Sequence, residues 1–120
     1  MLVLDTHILI DALAGRLRTR EQAILSRDTW SIAAISLWEV AKLAQLGRVE
    51  IDLDAADVVR ALARVHVWPL TLDIARESTR LDFKGDPADE LIAATAMVHH
   101  APLVTRDRDV LRSKLVPFAR

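Results

Sequence analysis

The 120-residue sequence predicts an α/β fold in which a mostly parallel sheet is covered by helices on both faces. Short apolar segments alternate along the chain with longer segments whose apolar residues follow the periodicity of a helix. Within the short segments apolar and polar residues do not alternate, which is typical of strands buried on both faces and therefore parallel. The length suits one domain, so we expect a single domain over residues 1–120.

The predicted elements of the first half follow from apolar runs and from the residues that end them. LVLD (2–5) is a short apolar run that ends in an acid, and SIAAI (31–35) is a second buried strand. The glycines at positions 15 and 47 are expected to end helices. The predicted order is a strand at 2–5, a helix at 6–15, a helix ending near residue 27, a strand at 31–35 and a helix at 36–47.

The second half continues the same alternation. VPF (116–118) is expected to be an edge strand, because Pro117 lacks the amide proton that a central strand would need. The elements before it are a helix at 54–65, a strand at 66–70, a helix at 71–82, a helix from GDPADELIAATAMVHH to about residue 100, a strand at 101–105 and a short helix in RDRDVLRSKL.

Composition and charge exclude several classes of protein. Apolar residues make up 52% of the chain, which excludes a disordered chain. The net charge of −1 gives no overall attraction to nucleic acid or membranes, although net charge hides local fields. The absence of cysteine excludes disulfides and thiolate metal sites. No apolar stretch is long enough to span a membrane and the N-terminus lacks the basic residues of a signal peptide, so we expect a cytoplasmic protein without a membrane partner.

Five acids fall at one predicted edge of the sheet. Asp5 ends the first strand, Glu39 lies one turn into the helix after the second strand, and Asp107 follows a later strand. Asp86 and Asp89 begin the helix that leads into that later strand. Ligands of parallel α/β sheets bind beyond the carboxyl ends of the strands, where the strand order reverses. We therefore expect these carboxylates to lie close together.

Helix capping is the alternative explanation of each acid. SLWE (36–39) matches a capping box with the serine as N-cap, and DPAD (86–89) matches an N-cap, a proline at N1 and an acid at N3. Asp5 and Asp107 could each cap the helix that follows them. On this interpretation the protein is a binding module without catalytic activity, whose apolar, tryptophan-bearing faces contact a partner.

A metal site explains the acids as a set better than capping does. Serine, threonine and asparagine cap helices about as well as aspartate. Several anions at one edge repel one another, and partial burial increases this cost. A divalent cation such as Mg²⁺ or Mn²⁺, which prefers oxygen ligands, would make the arrangement favourable. We therefore predict a divalent metal site formed by these carboxylates.

Four segments together carry a resemblance to a known family. In chain order they are LDTHILID, SLWEVAKLAQLGRVE, GDPADELIAATA and PLVTRD. With them the chain resembles PIN-domain toxin endoribonucleases of the VapC type, which belong to toxin–antitoxin pairs, and the resemblance covers essentially the whole chain. It implies a three-layer α/β/α sandwich, Mg²⁺- or Mn²⁺-dependent cleavage of RNA, a homodimer, and inhibition by a cognate antitoxin.

The resemblance also assigns roles to residues of this chain. The catalytic and metal-binding acids that it implies are Asp5, Glu39, Asp89 and Asp107. The supporting residues are Asp86, Thr6 and Thr105. The two threonine hydroxyls would orient carboxylates or water. Two positions depart from similar sequences, because Lys84 and Glu90 stand where a histidine before the DP pair and a basic residue after the third acid are common.

The predicted reaction is hydrolysis of a phosphodiester by metal-activated water. Asp5 is expected to be the central ligand, and Glu39 either binds a second ion or acts as the general base. Arg106, Arg108 and Lys84 are candidate contacts for RNA phosphates, with solvated or ion-paired side chains as the alternative.

Other polar residues are interpreted as structural. The run of Arg16, Arg18 and Arg20 is interpreted as a solvated connector between two helices. Trp38 adjoins Glu39, and we expect it to serve in packing rather than to stack on an RNA base.

Overall fold

The structure is a computed structural model that describes residues 1–120. Four strands and seven helices alternate along the chain in the predicted way. The strands are β1 (Leu2–Leu4), β2 (Trp30–Ala33), β3 (His66–Trp68) and β4 (Leu103–Val104). The helices are α1 (Thr6–Ala14), α2 (Thr19–Leu25), α3 (Ala34–Gln45), α4 (Ala56–Leu62), α5 (Leu72–Ser78), α6 (Pro87–Val98) and α7 (Arg108–Leu111). None of these helices has the length and apolar character needed to cross a membrane.

All pairs of neighbouring strands are parallel, and the strand order is β3-β2-β1-β4. The chain moves outward from β1 through β2 to β3 and then returns to place β4 on the other side of β1. The strand order therefore reverses between β1 and β4. This is the point at which α/β sheets open a crevice at the carboxyl ends of their strands.

The predicted edge strand at 116–118 is reduced to one bridge. Phe118 pairs in parallel with Leu103 on the outer side of β4. The Leu103 amide donates to the Pro117 carbonyl at 2.8 Å. Proline has no amide proton to give, so the pairing at this edge uses its carbonyl instead.

Side chains of one strand point alternately into two cores, which confirms the three-layer fold. Leu2 and Leu4 of β1 pack with Ile8 of α1 on one face of the sheet. Val3, between them, packs with Ile92 of α6 on the other face. Four of these five side chains are at most 1% exposed, and burying each contributes about 1.5–3 kcal/mol.

One predicted helix start is wrong. Helix α3 begins at Ala34, directly after β2, and its N-cap is Ala33, which has no side-chain capping bond. Ser36 is therefore the third residue of the helix, so 36–39 do not form a capping box. The apolar run at 31–35 belongs to β2 only as far as Ala33, the last residue that pairs with β3. Alanine and isoleucine after that point are equally compatible with a helix.

The glycine helix ends are confirmed. Gly15 caps α1 with φ of 70°, and Gly47 follows α3 with the same φ, a conformation that residues with a Cβ rarely adopt. The helices predicted at 54–65 and 71–82 are shorter in the structure, as α4 and α5. No residue of α4 is fully buried, so this helix lies on the surface.

Candidate active site

Asp5 is the most buried of the predicted site acids. It directly follows β1, and its amide donates to the Val104 carbonyl of β4 at 3.0 Å, so it sits at the point where the strand order reverses. Its carboxylate is only 7% exposed. Oδ1 accepts from the Thr6 amide at 2.7 Å, and Oδ2 accepts from Thr105 Oγ1 at 2.7 Å. Hydrogen bonds to both oxygens hold this carboxylate in one orientation.

Thr6 connects the first acid with the second. Its buried hydroxyl donates to Glu39 Oε1 at 2.5 Å and lies 3.0 Å from Ser36 Oγ. A threonine hydroxyl has one proton, so the Ser36 hydroxyl is left to donate to the Thr6 oxygen. Ser36 thus supports the site, a role that the capping-box interpretation missed. Its position three residues before Glu39, on the same helix face, is the sequence signal that could have found it.

Thr105 connects the first acid with the fourth. Besides donating to Asp5, its hydroxyl oxygen accepts from the Asp107 amide at 3.1 Å. The Asp107 carboxylate caps α7, because its Oδ1 accepts from the amides of Asp109 and Val110 at 2.9 and 3.2 Å. Its Oδ2 has no hydrogen-bond partner within the chain and is available to a ligand. Asp107 is therefore a helix cap and an acid of the site at once.

The two aspartates at the start of α6 do not act as caps. Asp86 occupies the N-cap position, but its exposed side chain makes no capping hydrogen bond. Asp89 is half-buried in the first turn, next to Gly85. A Cβ at Gly85 would lie 3.3 Å from both Cβ and Oδ2 of Asp89, so the glycine gives this carboxylate its space. Capping explains the hydrogen bonds of the Asp107 side chain and one of the two hydrogen bonds of the Asp5 side chain. It does not explain the acids of α6.

The structure brings all five predicted acids into one electrostatic neighbourhood. The pKa of Asp89 is raised from 3.8 to about 6, and burial is the largest cause. The negative charges of Asp5, Asp107, Asp86 and Glu39, in decreasing order, raise it further. Because these carboxylates repel one another and are partly buried, the cluster calls for a compensating cation.

An open cleft of 350 Å³ gives access to three of these acids from solvent. Its lining includes Asp86, Asp89 and Asp107, together with Lys84. Lys84 is exposed, and its ammonium is not ion-paired within the chain. A phosphate that approaches the acids through this cleft would therefore pass a free cation.

The chemistry of the donors fits a hard divalent cation. Carboxylate oxygens line the cleft, and oxygen atoms are the ligands that Mg²⁺ and Mn²⁺ prefer. In the arrangement of the structure no three histidine, aspartate or glutamate side chains form a group that could hold a metal ion. Mutual repulsion keeps the carboxylates of the acids apart. Mg²⁺ keeps several of its waters and needs only one or two carboxylates. Asp5, Asp89 and Asp107 are the residues that would hold the ion.

Arg106 is an ion-pair partner rather than a free phosphate contact. Its Nε and Nη2 donate to the two carboxylate oxygens of Glu21, and its Nη1 donates to Asp11 Oδ2 at 2.6 Å. The hydrogen bonds to Glu21, more than those to Asp11, raise the pKa of the Arg106 guanidinium further above its usual value. The structure thus favours the ion-paired alternative for Arg106. Arg108, by contrast, is exposed and has no ion pair.

Two aromatic residues differ in their surroundings. Trp38 is 57% exposed, so the packing role predicted for it is wrong within this chain. Trp68 is partly buried at the end of β3 and stacks on His99, with ring centroids 3.7 Å apart and planes 13° from parallel. Trp38, next to Glu39 in the sequence, is thus left on the surface.

Two comparisons with known proteins identify the family of this chain. Residues 2–114 match the model of the PIN domain. The chain is 40% identical over 90 residues to Ribonuclease VapC22 of Mycobacterium tuberculosis, a match that covers 72% of this chain and 69% of that protein. On the strength of both matches, the chain belongs to the PIN-domain family and, within it, to the VapC type.

Solved structures show the same fold. A toxin–antitoxin complex from Klebsiella pneumoniae contains a chain that is 27% identical, with a TM-score of 0.70 over 91% of this chain and 89% of that one. VapBC2 from Rickettsia felis bound to a promoter DNA fragment gives a TM-score of 0.72 at 18% identity, over 98% and 96% of the two chains. FitAcB from Neisseria gonorrhoeae gives 0.70 at 20% identity, over 100% and 97%.

Proposed function

We propose that this protein is a divalent-metal-dependent endoribonuclease and the toxin of a toxin–antitoxin pair. The observation that carries the proposal is the pair of threonine hydroxyls that orient Asp5, Glu39 and Asp107 around one edge of the sheet. A protein that needed only helix caps would have no use for Glu39 held at that edge. The related Ribonuclease VapC22 points to RNA as the substrate.

Mg²⁺ or Mn²⁺ bound by Asp5, Asp89 and Asp107 would supply Lewis acidity to the phosphodiester and to the attacking water. Glu39 accepts a hydrogen bond from the Thr6 hydroxyl through Oε1, and its Oε2 can accept a proton from water as general base. The water oxygen forms a bond to phosphorus while the bond to the leaving ribose oxygen breaks. The leaving oxygen takes a proton from solvent water, so the products are a phosphate monoester and a free hydroxyl.

Positioning by the protein is the second part of the mechanism. Thr105 holds Asp5 and the backbone at Asp107 in one hydrogen-bonded unit, so the first and fourth acids cannot move independently. Such fixed geometry lowers the barrier because the reacting groups need no reorganisation during the reaction. Lys84, at the mouth of the acidic cleft, would contact the phosphate as it enters.

A cognate antitoxin and a second copy of the chain are the proposed protein partners, in the cytoplasm. Structural neighbours of this chain are toxin–antitoxin complexes. The surface exposes large apolar side chains, among them Trp38 and Leu70, each 57% exposed, and Leu72, 64% exposed. Apolar groups of this size on a surface supply the contact area that protein partners cover.

The decisive experiment measures RNA cleavage by the purified chain, freed of antitoxin, with Mg²⁺, with Mn²⁺ and with EDTA. We expect cleavage only with a cation, and loss of cleavage in Asp5→Asn and Asp89→Asn. Asp57→Asn is a matched control, because Asp57 is exposed on α4 and has no ion pair. Calorimetric titration with Mn²⁺ in the absence of RNA should show binding to the wild type and not to Asp5→Asn.

Two results would remove the proposal in favour of a non-catalytic binding module. One is a folded wild type that cuts no RNA with either cation. The other is full activity in Asp5→Asn, since asparagine can still accept a capping hydrogen bond but is a poor ligand for Mg²⁺.

A further inference from the structure

A groove separate from the acidic cleft runs along the other side of the loop that follows β4. Its volume is 460 Å³, and its floor is formed by apolar residues of β4 and the C-terminal segment, including Leu103 and Phe118. Five arginines line it, and we call it the arginine groove. They are Arg18, Arg20, Arg106, Arg108 and Arg120.

The arginine groove carries excess positive charge. Glu21 is the only acidic side chain in its lining, and the Arg106 guanidinium already neutralises it. Arg18, Arg20 and Arg108 are exposed and belong to none of the ion pairs of the chain. Three unpaired guanidinium groups thus face one groove, although the chain as a whole has a net charge of −1. The net charge of the whole chain therefore does not show this local excess of positive charge.

Tertiary structure creates this groove from distant segments. Arg18 and Arg20 lie at the start of α2, and Arg108 lies at the start of α7. The ion pair of Arg106 with Glu21 joins the two segments. Of the run Arg16, Arg18 and Arg20, which the sequence suggested to be a solvated connector, Arg18 and Arg20 therefore line one side of a groove.

The arginine groove adjoins the candidate active site. Thr105 lines the groove and donates to Asp5 in the site. Arg108 lines the groove, and Asp107, one residue before it, lines the acidic cleft. A chain of phosphates with one phosphate at the acids would therefore meet the arginines with its next phosphates.

We propose that the arginine groove binds the ribophosphate backbone of single-stranded RNA on one side of the cleaved bond. This inference rests on the proposed ribonuclease function and extends it to the path of the substrate. A guanidinium group can donate two parallel hydrogen bonds to a phosphate. Guanidinium groups that have no ion pair within the chain lose no existing partner when they bind a phosphate. Contacts of this kind hold the strand without reading its sequence.

The test measures binding of a short fluorescent single-stranded RNA of mixed sequence, in EDTA so that no cleavage occurs. The groove variant is Arg18→Gln/Arg20→Gln. We expect its Kd to rise about tenfold, and the slope of log K against log salt to fall by about 1.4, which is about 0.7 for each lost phosphate contact. In cleavage assays with Mg²⁺ the same variant should raise KM and leave kcat unchanged.

The matched control is Arg48→Gln/Arg60→Gln, which removes the same charge from exposed, unpaired positions. Arg48 follows α3 and Arg60 lies in the last turn of α4, and neither lines the arginine groove or the acidic cleft. This control should keep the wild-type slope and KM. A second comparison measures Arg108→Gln beside Arg112→Gln as its control, because Arg112 is exposed and does not line the groove.

The outcomes separate the groove from the catalytic proposal. A wild type that binds RNA through the groove but never cuts it would remove the nuclease function and leave the groove intact. If the wild type cuts RNA but the groove variant keeps the wild-type salt slope and KM, the groove proposal is wrong and the nuclease proposal stands. If the groove variant instead lost binding to an acidic peptide while RNA binding was unchanged, the groove would be a protein-docking surface and our proposal would be wrong.

Discussion

The Thr105 hydroxyl donates a 2.7 Å hydrogen bond to Asp5 Oδ2 across one hundred residues of sequence. It joins the carboxyl ends of β1 and β4, the two strands between which the sheet order reverses. The same oxygen accepts from the Asp107 amide, so one side chain positions two acids. The candidate site is therefore built on the sheet itself, with threonines as the connecting residues.

Thr105→Val tests this connection, because valine has nearly the shape of threonine and lacks the hydroxyl. It leaves Asp5 Oδ2 and the Asp107 amide without partners, which should cost about 1–3 kcal/mol of unfolding free energy. Cation-dependent RNA cleavage should fall at the same time. Urea unfolding and initial cleavage rates check both effects. Thr105→Ser keeps the hydroxyl and should retain most of the activity, and equal losses in the two variants would contradict the role of the hydrogen bond.

The raised pKa of Asp89 predicts how stability without metal depends on pH. Below pH 3.8 the carboxyl is protonated in both folded and unfolded chains and makes no difference. As pH rises toward about 6, the unfolded chain loses this proton before the folded one does, so stability falls, and the full penalty is present above about 6. For a half-buried carboxyl the penalty is about 1–2 kcal/mol after solvent screening.

Asp89→Asn should remove that penalty. Urea unfolding in EDTA should find the variant more stable than the wild type at pH above 7, with the difference vanishing toward pH 4. Saturating Mn²⁺ should reverse the order at high pH, because the cation stabilises only a chain that binds it. A difference that does not change with pH would show that charge repulsion is not its cause.

Arg106→Gln tests the ion pairs that hold the loop between β4 and α7. The substitution leaves Glu21, which is 8% exposed, without its cation, and should cost about 1–3 kcal/mol of unfolding free energy, less than for a fully buried pair. Cleavage should also fall, because this loop carries Thr105 and Asp107. Arg112→Gln breaks an exposed pair with Asp109 and should change stability by less than about 0.5 kcal/mol.

Gly85→Ala tests the space around Asp89. The new Cβ would approach both Cβ and Oδ2 of Asp89 to 3.3 Å, which is closer than most such contacts in proteins. Displacing this carboxylate should lower cleavage and Mn²⁺ affinity about tenfold, while thermal unfolding changes little because residue 85 is exposed. Unchanged Mn²⁺ affinity in this variant would argue against Asp89 as a ligand.

The sequence by itself determined the class of fold and the edge at which the acids gather. Strands such as LVLD and helix ends such as Gly15 depend on apolar runs and on backbone preferences within a few residues, so they are visible locally. The acid of LVLD follows its strand directly, which places it at the carboxyl edge once the strand is recognised. That Asp5, Glu39, Asp89 and Asp107 bind a metal stays a prediction.

Only the tertiary structure decided what these side chains contact. Ser36 looked like a helix cap, and folding makes it a partner of Thr6 thirty residues away. The sequence left Arg106 as either a phosphate contact or a solvated or ion-paired side chain, and folding pairs it with Glu21 across 85 residues. Hydrogen bonds and ion pairs of this range depend on which strands are neighbours, and that order is set by packing of the whole chain. The same packing, and no local pattern, gathers unpaired arginines from α2 and α7 into one groove.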